Sequence, residues 1–379
     1  MFPKHFTPPS HTAFEALQRF SLVMEWLYNR PINWDRSTWQ PRTTPRQKLT
    51  TWCFLSLIVP SFAIYAVFIL LQQLVSYQKD PDVSIVMGIF IIFGSSGYTV
   101  ASSAILTETL KLDELCVMLK FLRKFEAHST QPSDLFGLFL HGLILAVIMP
   151  PLTCCTLPIL APKMNPTYLL FRNVSLISHN CKIILRSLII FVSTLHACSE
   201  LLGFAIIATN VTLTLNGCLK VGKIGDTHAK FVTCSQIISS FRRYRQLQIF
   251  NSIVNQVMSY ILPVGMSLTF LCMVLMGYFL IKMTHLVPHT ITFCVGSVLA
   301  TLFCLAVAIL PKMADVSVNS ANFVRYWKLQ RTSRYLSRQL KSFKCLRLDS
   351  GQFGYLKKAS GAEVLSQFLY FVMSLVIMI

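Results

Sequence analysis

Two ionisable side chains interrupt a long apolar run near the middle of the chain. The run from Ser187 to Leu219 carries a single acid, Glu200, and His196 precedes that acid by one helical turn. An ionisable group inside a membrane segment is costly to bury, seeks a partner, and often marks a functional site. Both residues are therefore candidates for a functional role, and an interhelical hydrogen bond is the structural alternative.

The apolar run at the end of the chain carries polar side chains as well. Residues 361–379 contain one charge, and their polar residues recur at helical spacing: Glu363, Ser366, Gln367, Tyr370 and Ser374. Residues that recur in this way lie along one face of a helix. Such a face either packs on neighbouring helices or borders water.

Motifs that would indicate an enzyme or a metal centre are missing from the sequence. There is no HExxH, no GxSxG, no phosphate-cradling glycine-rich loop and no pair of intramembrane aspartates. The twelve cysteines form no CxxC pair, and most lie in apolar runs, where cysteine behaves as a small hydrophobe. We expect no enzymatic activity, no bound metal and no cofactor.

The composition is that of a membrane protein. Hydrophobic residues make up 54% of the 379 residues and charged residues only 13%, whereas a soluble domain has about 25% charged residues. The net charge of +19 would suggest nucleic acid as a partner of a soluble protein. In a membrane protein the same excess records which loops face the cytoplasm, so we expect membrane lipid and no nucleic acid as a partner.

Seven apolar runs approach or exceed the length of about 20 residues that a transmembrane helix needs. The predicted spans are 50–77, 83–107, 135–160, 187–215, 250–281, 290–311 and 361–379. The sequence therefore predicts an all-α polytopic membrane protein with seven transmembrane helices. These helices form one domain, residues 50–379, which follows an N-terminal segment, residues 1–49.

Lysine and arginine predict the orientation, because cytoplasmic loops carry the excess of both. Of the 34 basic residues, 28 fall on the side that includes the N-terminal segment and three predicted helical extensions, 108–134, 220–249 and 312–360. We therefore expect a cytoplasmic N-terminus and an extracellular C-terminus. The sequon at Asn173 falls in a loop assigned to the outside, which makes Asn173 a candidate glycosylation site.

The N-terminal segment is expected to contain a short surface helix and then a linker. The helix is indicated by apolar residues at helical spacing, namely Phe14, Leu17, Phe20, Met24 and Leu27. The linker contains Pro31, Pro41 and Pro45. In the last extension, basic residues at helical spacing from Arg325 to Lys341 favour contact with anionic lipid, and packing against other subunits is compatible with that interpretation.

The C-terminal end contains a spacing that is typical of one receptor family. Gly351-Gln352-Phe353 is followed at that family's spacing by Tyr370 and an apolar run. With its seven spans, cytoplasmic N-terminus and short C-terminal end, the chain resembles the arthropod gustatory and odorant receptor superfamily. Leu369 replaces the family's threonine, and Val376-Ile377 replace its closing Gln-Phe, so the chain is identified as a divergent member. A rhodopsin-like receptor would have the opposite orientation.

The resemblance implies a ligand-gated, nonselective cation channel in the plasma membrane. Family members form tetramers, here either homomeric or heteromeric, whose last helix lines a central pore. The pore-lining residues implied are Glu363, Ser366, Gln367, Tyr370, Met373, Ser374, Val376 and Ile377. A ring of acids at Glu363 would concentrate cations, and the apolar residues towards the end of the helix would form a hydrophobic constriction.

The resemblance also implies a pocket for a small organic ligand, an odorant or a tastant, in the outer half of the helix bundle. Aromatic side chains with few polar groups suit such ligands. The candidate ligand-binding residues are Phe90, Phe93, Phe191, Thr194, His196 and Phe293. Two alternatives remain, a membrane transporter and a channel-assembly subunit that does not itself bind ligand. A transporter would be favoured by an inverted repeat or by helices broken at midplane, and the sequence offers no convincing repeat.

Overall fold

The structure is a computed structural model that describes residues 12–77, 79–126, 135–163, 165–175, 177–224, 234–329, 333–349, 354 and 360–378. Helices dominate it. In chain order they are α1 (Ala13–Leu27), α2 (Thr50–Val75), α3 (Ile85–Leu110), α4 (Leu112–Glu126), α5 (Leu135–Ala146), α6 (Met149–Leu160), α7 (Thr167–Phe171), α8 (His179–Ile224), α9 (Cys234–Met258), α10 (Ile261–Lys282), α11 (His289–Leu329), α12 (Arg334–Lys341) and α13 (Ser360–Met378).

The predicted all-α membrane class is confirmed. Within the described chain, six helical segments are long and apolar enough to cross a membrane, and they correspond to α2, α3, α5 with α6, α8, α10 and α11. A shorter apolar helix, Ala362–Met378, lies at the position of the seventh predicted span. The chain is therefore a multi-pass membrane protein.

Prolines explain two places where the helices differ from the predicted spans. Pro150 and Pro151 lie in the first turn of α6, and the helical run is interrupted just before them, between α5 and α6. Pro263 lies in the first turn of α10, and the predicted span 250–281 is divided between α9 and α10. Proline is tolerated in a first turn because the N–H it lacks would have no intrahelical acceptor there.

The N-terminal segment contains the predicted helix but differs from the sequence prediction in the linker. The apolar face of α1 is buried, with Phe14, Leu17 and Phe20 at most 5% exposed, while Trp26 near its end is 68% exposed. The predicted linker contains an antiparallel hairpin, β1 (Ile32–Asp35) paired with β2 (Gln40–Thr43). An apolar stripe shows that one face is buried but not which surface covers it, and here α1 packs on α5 and α8.

A second layer of packing joins the helices that extend beyond the apolar runs. We use the term packed lobe for α4, α9, α12 and the C-terminal parts of α8 and α11, whose buried residues belong to one apolar core with those of α1. At its centre the Tyr244 ring stacks on Phe323 at 4.9 Å and on Phe343 at 4.8 Å between ring centroids. The Tyr244 hydroxyl lies 2.7 Å from Ser320 Oγ and donates to the Lys344 carbonyl at 2.9 Å. Burial raises the pKa of Tyr244 to about 12.

Removing the Tyr244 hydroxyl should destabilise the packed lobe. Tyr244→Phe keeps the ring stacking but removes one hydrogen-bond partner from the buried Ser320 hydroxyl, which should lower the free energy of unfolding by about 1–3 kcal/mol. Thermal unfolding of the purified protein in detergent measures this loss. The control is Tyr335→Phe, whose ring is 76% exposed and should change stability by less than about 0.5 kcal/mol. Equal melting temperatures for the two variants would contradict this assignment.

Candidate functional site

The last helix packs on two other membrane helices along one face. Val372 of α13 is only 5% exposed, and its Cγ2 would lie 2.9 Å from a Cβ atom placed on Gly277 of α10. The Phe368 ring packs near Phe303 of α11, with 6.4 Å between the ring centroids. Gly277 thus permits a closer approach of α10 and α13 than any residue with a side chain would allow.

The opposite face of α13 is exposed in the single chain. We call it the exposed stripe, and it consists of Glu363, Ser366, Gln367, Tyr370, Met373 and Ile377. Tyr370 is 69% exposed and Ile377 is 78% exposed. Residues three, four and seven apart share a helix face, so the periodicity read from the sequence corresponds to the face turned away from the chain's own bundle.

Two residues predicted to line a pore are less exposed than the rest of the predicted set. Val376 is partly buried against an apolar cluster that includes Met276 and Phe279 of α10, outside the exposed stripe, and its place in a pore constriction stays a prediction. Ser374 lies on the same face as Gln367, Tyr370 and Ile377 but is half-buried. The Gly351-Gln352-Phe353 part of the receptor-like spacing lies outside the described residues.

Two of the six candidate ligand-binding residues contact each other directly. The Phe90 ring lies 6.1 Å from Phe93 and 5.5 Å from Phe279, both as centroid distances with edge-to-face geometry. Phe90 and Phe93 pack against the apolar cluster that also contacts Leu375 and Val376 of α13. Contiguous side-chain packing therefore connects Phe90 and Phe93 with the last helix.

The other candidates on α8 and α11 lie in different surroundings. The Tyr98 hydroxyl of α3 lies 2.9 Å from Ser193 Oγ and 3.1 Å from Thr194 Oγ1, while Phe191 is half-buried. Phe293 is 74% exposed and belongs to no packed cluster in the described chain. A groove of about 470 Å³ between α2 and α3, lined by residues such as Phe68 and Thr99, includes none of the six candidates.

His196 and Glu200 belong to a buried polar network that reaches four parts of the chain. Glu200 Oε2 accepts from Arg30 at 2.5 Å, and its Oε1 accepts from Trp52 Nε1 of α2 at 3.2 Å. Arg30 also donates to Glu108 Oε1 of α3 at 2.7 Å. The set of Tyr28, Arg30, Trp52, Ser56, Glu108, His196, Ser199 and Glu200 is called the Arg30 network below.

Both ring nitrogens of His196 are in contact with protein hydroxyls. Nδ1 lies 2.6 Å from the Tyr28 hydroxyl, and Nε2 lies 3.1 Å from Ser56 Oγ. The residue is only 1% exposed. Its contacts therefore place it in the Arg30 network, which is the interhelical alternative considered from the sequence, and leave neither nitrogen open to a ligand.

The charge of Arg30 is strongly favoured by its surroundings. Burial alone would lower the pKa of its guanidinium, but the nearby Glu108 and Glu200 outweigh that effect and raise the pKa above its ordinary value. Its guanidinium carbon lies 5.6 Å from the centre of the Phe20 ring, and Nη1 would lie 3.1 Å from a Cβ atom on Gly203. Gly203 therefore provides the space that Arg30 occupies beside α8.

Sequence reasoning missed the partners of Glu200. Arg30 lies in a segment with many basic residues, and Glu108 lies just beyond the predicted end of its span. The one available signal was that a buried carboxylate requires a cation nearby. That requirement names the type of partner but not its position, because the contact joins residues 170 positions apart.

Asn173 is exposed in a turn that follows α7. The preceding residue, Arg172, pairs with Asp80 at 2.7 Å and with Asp82 at 3.1 Å, which ties this turn to the segment between α2 and α3. The side chain of Asn173 is therefore accessible, and its glycosylation stays a prediction.

Among the described residues, no group of three or more His, Cys, Asp or Glu side chains is arranged to hold a metal ion.

Comparison of the whole fold with solved structures shows what the chain is similar to. No protein-family model and no curated protein sequence matches the chain. Among solved structures, the chain is similar to the insect olfactory receptor OR5 from Machilis hrabei, with a TM-score of 0.56 and 12% sequence identity. The similarity covers 96% of this chain and 97% of the receptor chain. The chain therefore has the fold of an insect olfactory receptor over nearly its entire length.

A side chain at position 277 should disturb the packing of the last helix. Gly277→Ala places a Cβ atom 2.9 Å from Val372 Cγ2, and overpacking of this kind costs about 1–3 kcal/mol. We expect a lower melting temperature in detergent. The matched control is Gly296→Ala, because nothing lies within 4 Å of a Cβ atom built there.

A second substitution tests whether Val372 is the cause of that loss. In a Val372→Ala background the methyl groups nearest to the new Cβ are gone, so Gly277→Ala should cost less there than in the original chain. Strictly additive effects of the two substitutions would contradict the packing of α13 on α10 described above.

Proposed function

We propose that the chain is a divergent member of the arthropod gustatory and odorant receptor superfamily and acts as a subunit of a ligand-gated, nonselective cation channel. The observation that carries the proposal is the exposed stripe on α13, in a chain with the fold of an insect olfactory receptor. A polar face on a short apolar helix is unfavourable against lipid. It is favourable where four copies of the helix surround water.

The assembly that follows from this proposal is a homo- or heterotetramer in the plasma membrane of a chemosensory cell, with a cytoplasmic N-terminus and an extracellular C-terminus. Glu363 lies in the first turn of α13, so four copies would form a ring of carboxylates at one end of the pore. Met373 and Ile377 lie towards the other end and would form an apolar constriction. Such a constriction closes a pore by excluding water.

Neutralising Glu363 should weaken cation permeation. Two opposite unit charges about 4 Å apart in water attract each other by about 1 kcal/mol. This energy corresponds to roughly a five-fold change in local cation concentration. Glu363→Gln should therefore reduce single-channel cation conductance or relative divalent permeability in recordings from expressing cells. The control is Glu363→Asp, which keeps the charge. Unchanged permeation in the Gln variant would remove Glu363 from the pore.

The ligand site is proposed near Phe90 and Phe93, with Phe191 and Thr194 on α8 as further candidates. Support comes from the packing of the two phenylalanines against the cluster that also contacts α13. A ligand that changed this packing would act directly on the last helix. Binding opens the pore only if the ligand has a higher affinity for the open state than for the closed state.

Truncation of this aromatic pair should reduce ligand sensitivity. Losing one buried aromatic contact costs about 1.5–3 kcal/mol, so Phe90→Ala or Phe93→Ala should raise the half-maximal ligand concentration about ten-fold or more. Dose–response recordings at matched surface expression measure the shift. Phe293→Ala, at a position that is 74% exposed, should change it by less than about two-fold. Equal shifts for all three variants would contradict the proposed site.

Recording from cells that express this chain alone tests the function as a whole. A ligand panel of odorants and tastants should evoke discrete channel openings from a self-sufficient channel. Current that arises only with a second receptor subunit would indicate an assembly subunit. Coupled uptake without channel openings would indicate a transporter and would overturn the proposal.

A further inference from the structure

The Arg30 network contains one more carboxylate than its single arginine balances. The same guanidinium nitrogen, Nη2 of Arg30, lies 2.7 Å from Glu108 Oε1 and 2.5 Å from Glu200 Oε2. The two glutamate side chains are 7% and 0% exposed. If both were ionised, the site would carry an uncompensated negative charge on two buried side chains, which is energetically costly.

The described surroundings offer no second permanent cation. The titratable groups that face the two carboxylates are Tyr28 and Arg30 from the N-terminal segment and His196 from α8. The α2 helix contributes neutral groups, Trp52 and Ser56. Lys111 of the segment after α3 pairs with Glu114 at 3.6 Å. Charge balance within the network therefore requires one additional proton, either on His196 or on a carboxylate.

The geometry argues against His196 as the carrier of that proton. Its two ring nitrogens contact the hydroxyls of Tyr28 and Ser56, and hydroxyls satisfy a neutral imidazole because they can both donate and accept. The nearest carboxylate oxygen to its Nδ1 is Glu200 Oε1 at 3.9 Å, which is too long for a hydrogen bond. A charged imidazolium would be expected to contact that oxygen directly.

The two carboxylates differ in the donors that they meet. Both oxygens of Glu200 accept hydrogen bonds, one from Arg30 and one from Trp52. Glu108 Oε2 is buried and has no hydrogen-bond donor. A bare ionised oxygen in that position is costly. A protonated Glu108 would be neutral, and because both acids contact the same Arg30 nitrogen it could share its hydrogen with the neighbouring Glu200.

We propose that the Arg30 network is a binding site for one proton, held by Glu108 and shared with Glu200, and that this proton fixes the N-terminal segment to α3 and α8. With the proton bound, the site contains one guanidinium, one carboxylate and one carboxylic acid and is neutral. Loss of the proton leaves two like charges beside one cation, and the contacts of Tyr28 and Arg30 with the helix bundle weaken. Folding takes up a proton at this site, so stability is highest at low pH and falls as the pH rises.

Isosteric neutralisation of the two acids separates their roles. Glu108→Gln reproduces the charge of the protonated form, whereas Glu200→Gln removes the carboxylate that accepts from both Arg30 and Trp52. In lipid nanodiscs near neutral pH, we expect the melting temperature of Glu108→Gln to lie within about 2 °C of the original chain. That of Glu200→Gln should fall by about 5 °C or more. An equal fall in both variants would overturn the proposal.

The pH dependence provides a second test that does not require Glu200→Gln to fold. The original chain should lose thermal stability as the pH rises from about 6 to about 9, and Glu108→Gln should lose clearly less over the same range. Identical pH profiles would overturn the proposal. A dependence of the original chain's melting temperature on Na⁺ at constant ionic strength would also overturn it, because the site would then bind a metal cation. These measurements need no channel activity, so their outcome is independent of the proposed function.

Discussion

The burial of Arg30 is the interaction on which the arrangement of the N-terminal half depends. A guanidinium that is 88% buried needs its charge balanced and its donors satisfied, and Glu108 and Glu200 meet that need from two different helices. Trp52 brings a third helix into the same network through Glu200. The segment that joins α1 to β1 is thereby fixed against α2, α3 and α8 at one point. The burial of α1 and the position of the hairpin are consistent with that attachment.

The molecule combines two kinds of packing along the same helices. In the apolar layer, α10 and α13 approach closely at Gly277, and aromatic and aliphatic side chains join α3, α10 and α11. In the packed lobe, rings such as Tyr244 and Phe323 stack around buried hydrogen bonds. The helices α8 and α11, with 46 and 41 residues, continue through both regions. The two regions therefore share continuous helical backbone.

The sequence predicted features that depend on local composition and missed those that depend on distant contacts. Charge-free runs located the membrane helices because a bilayer excludes charge over a fixed length, and helical periodicity located the exposed stripe from Glu363 to Ile377. The contacts of Val376 with a cluster that includes α10 residues were not foreseen, because sequence spacing within α13 cannot reveal them. Likewise, nothing near Arg30 in the sequence indicates that it meets Glu200. The hairpin that includes Trp34 and Trp39 was missed because its strands are short and one of them contains Pro41.

The position of the Arg30 network along α8 has a mechanical consequence. Glu200 lies close to the midpoint of the helix from His179 to Ile224, which at 1.5 Å per residue is about 69 Å long. A rigid rod that is held at its centre can tilt only by moving its two ends in opposite directions. A tilt of about 5° would displace each end by about 3 Å. A rigid-body tilt of α8 about the network would therefore couple the movements of the two ends of this helix.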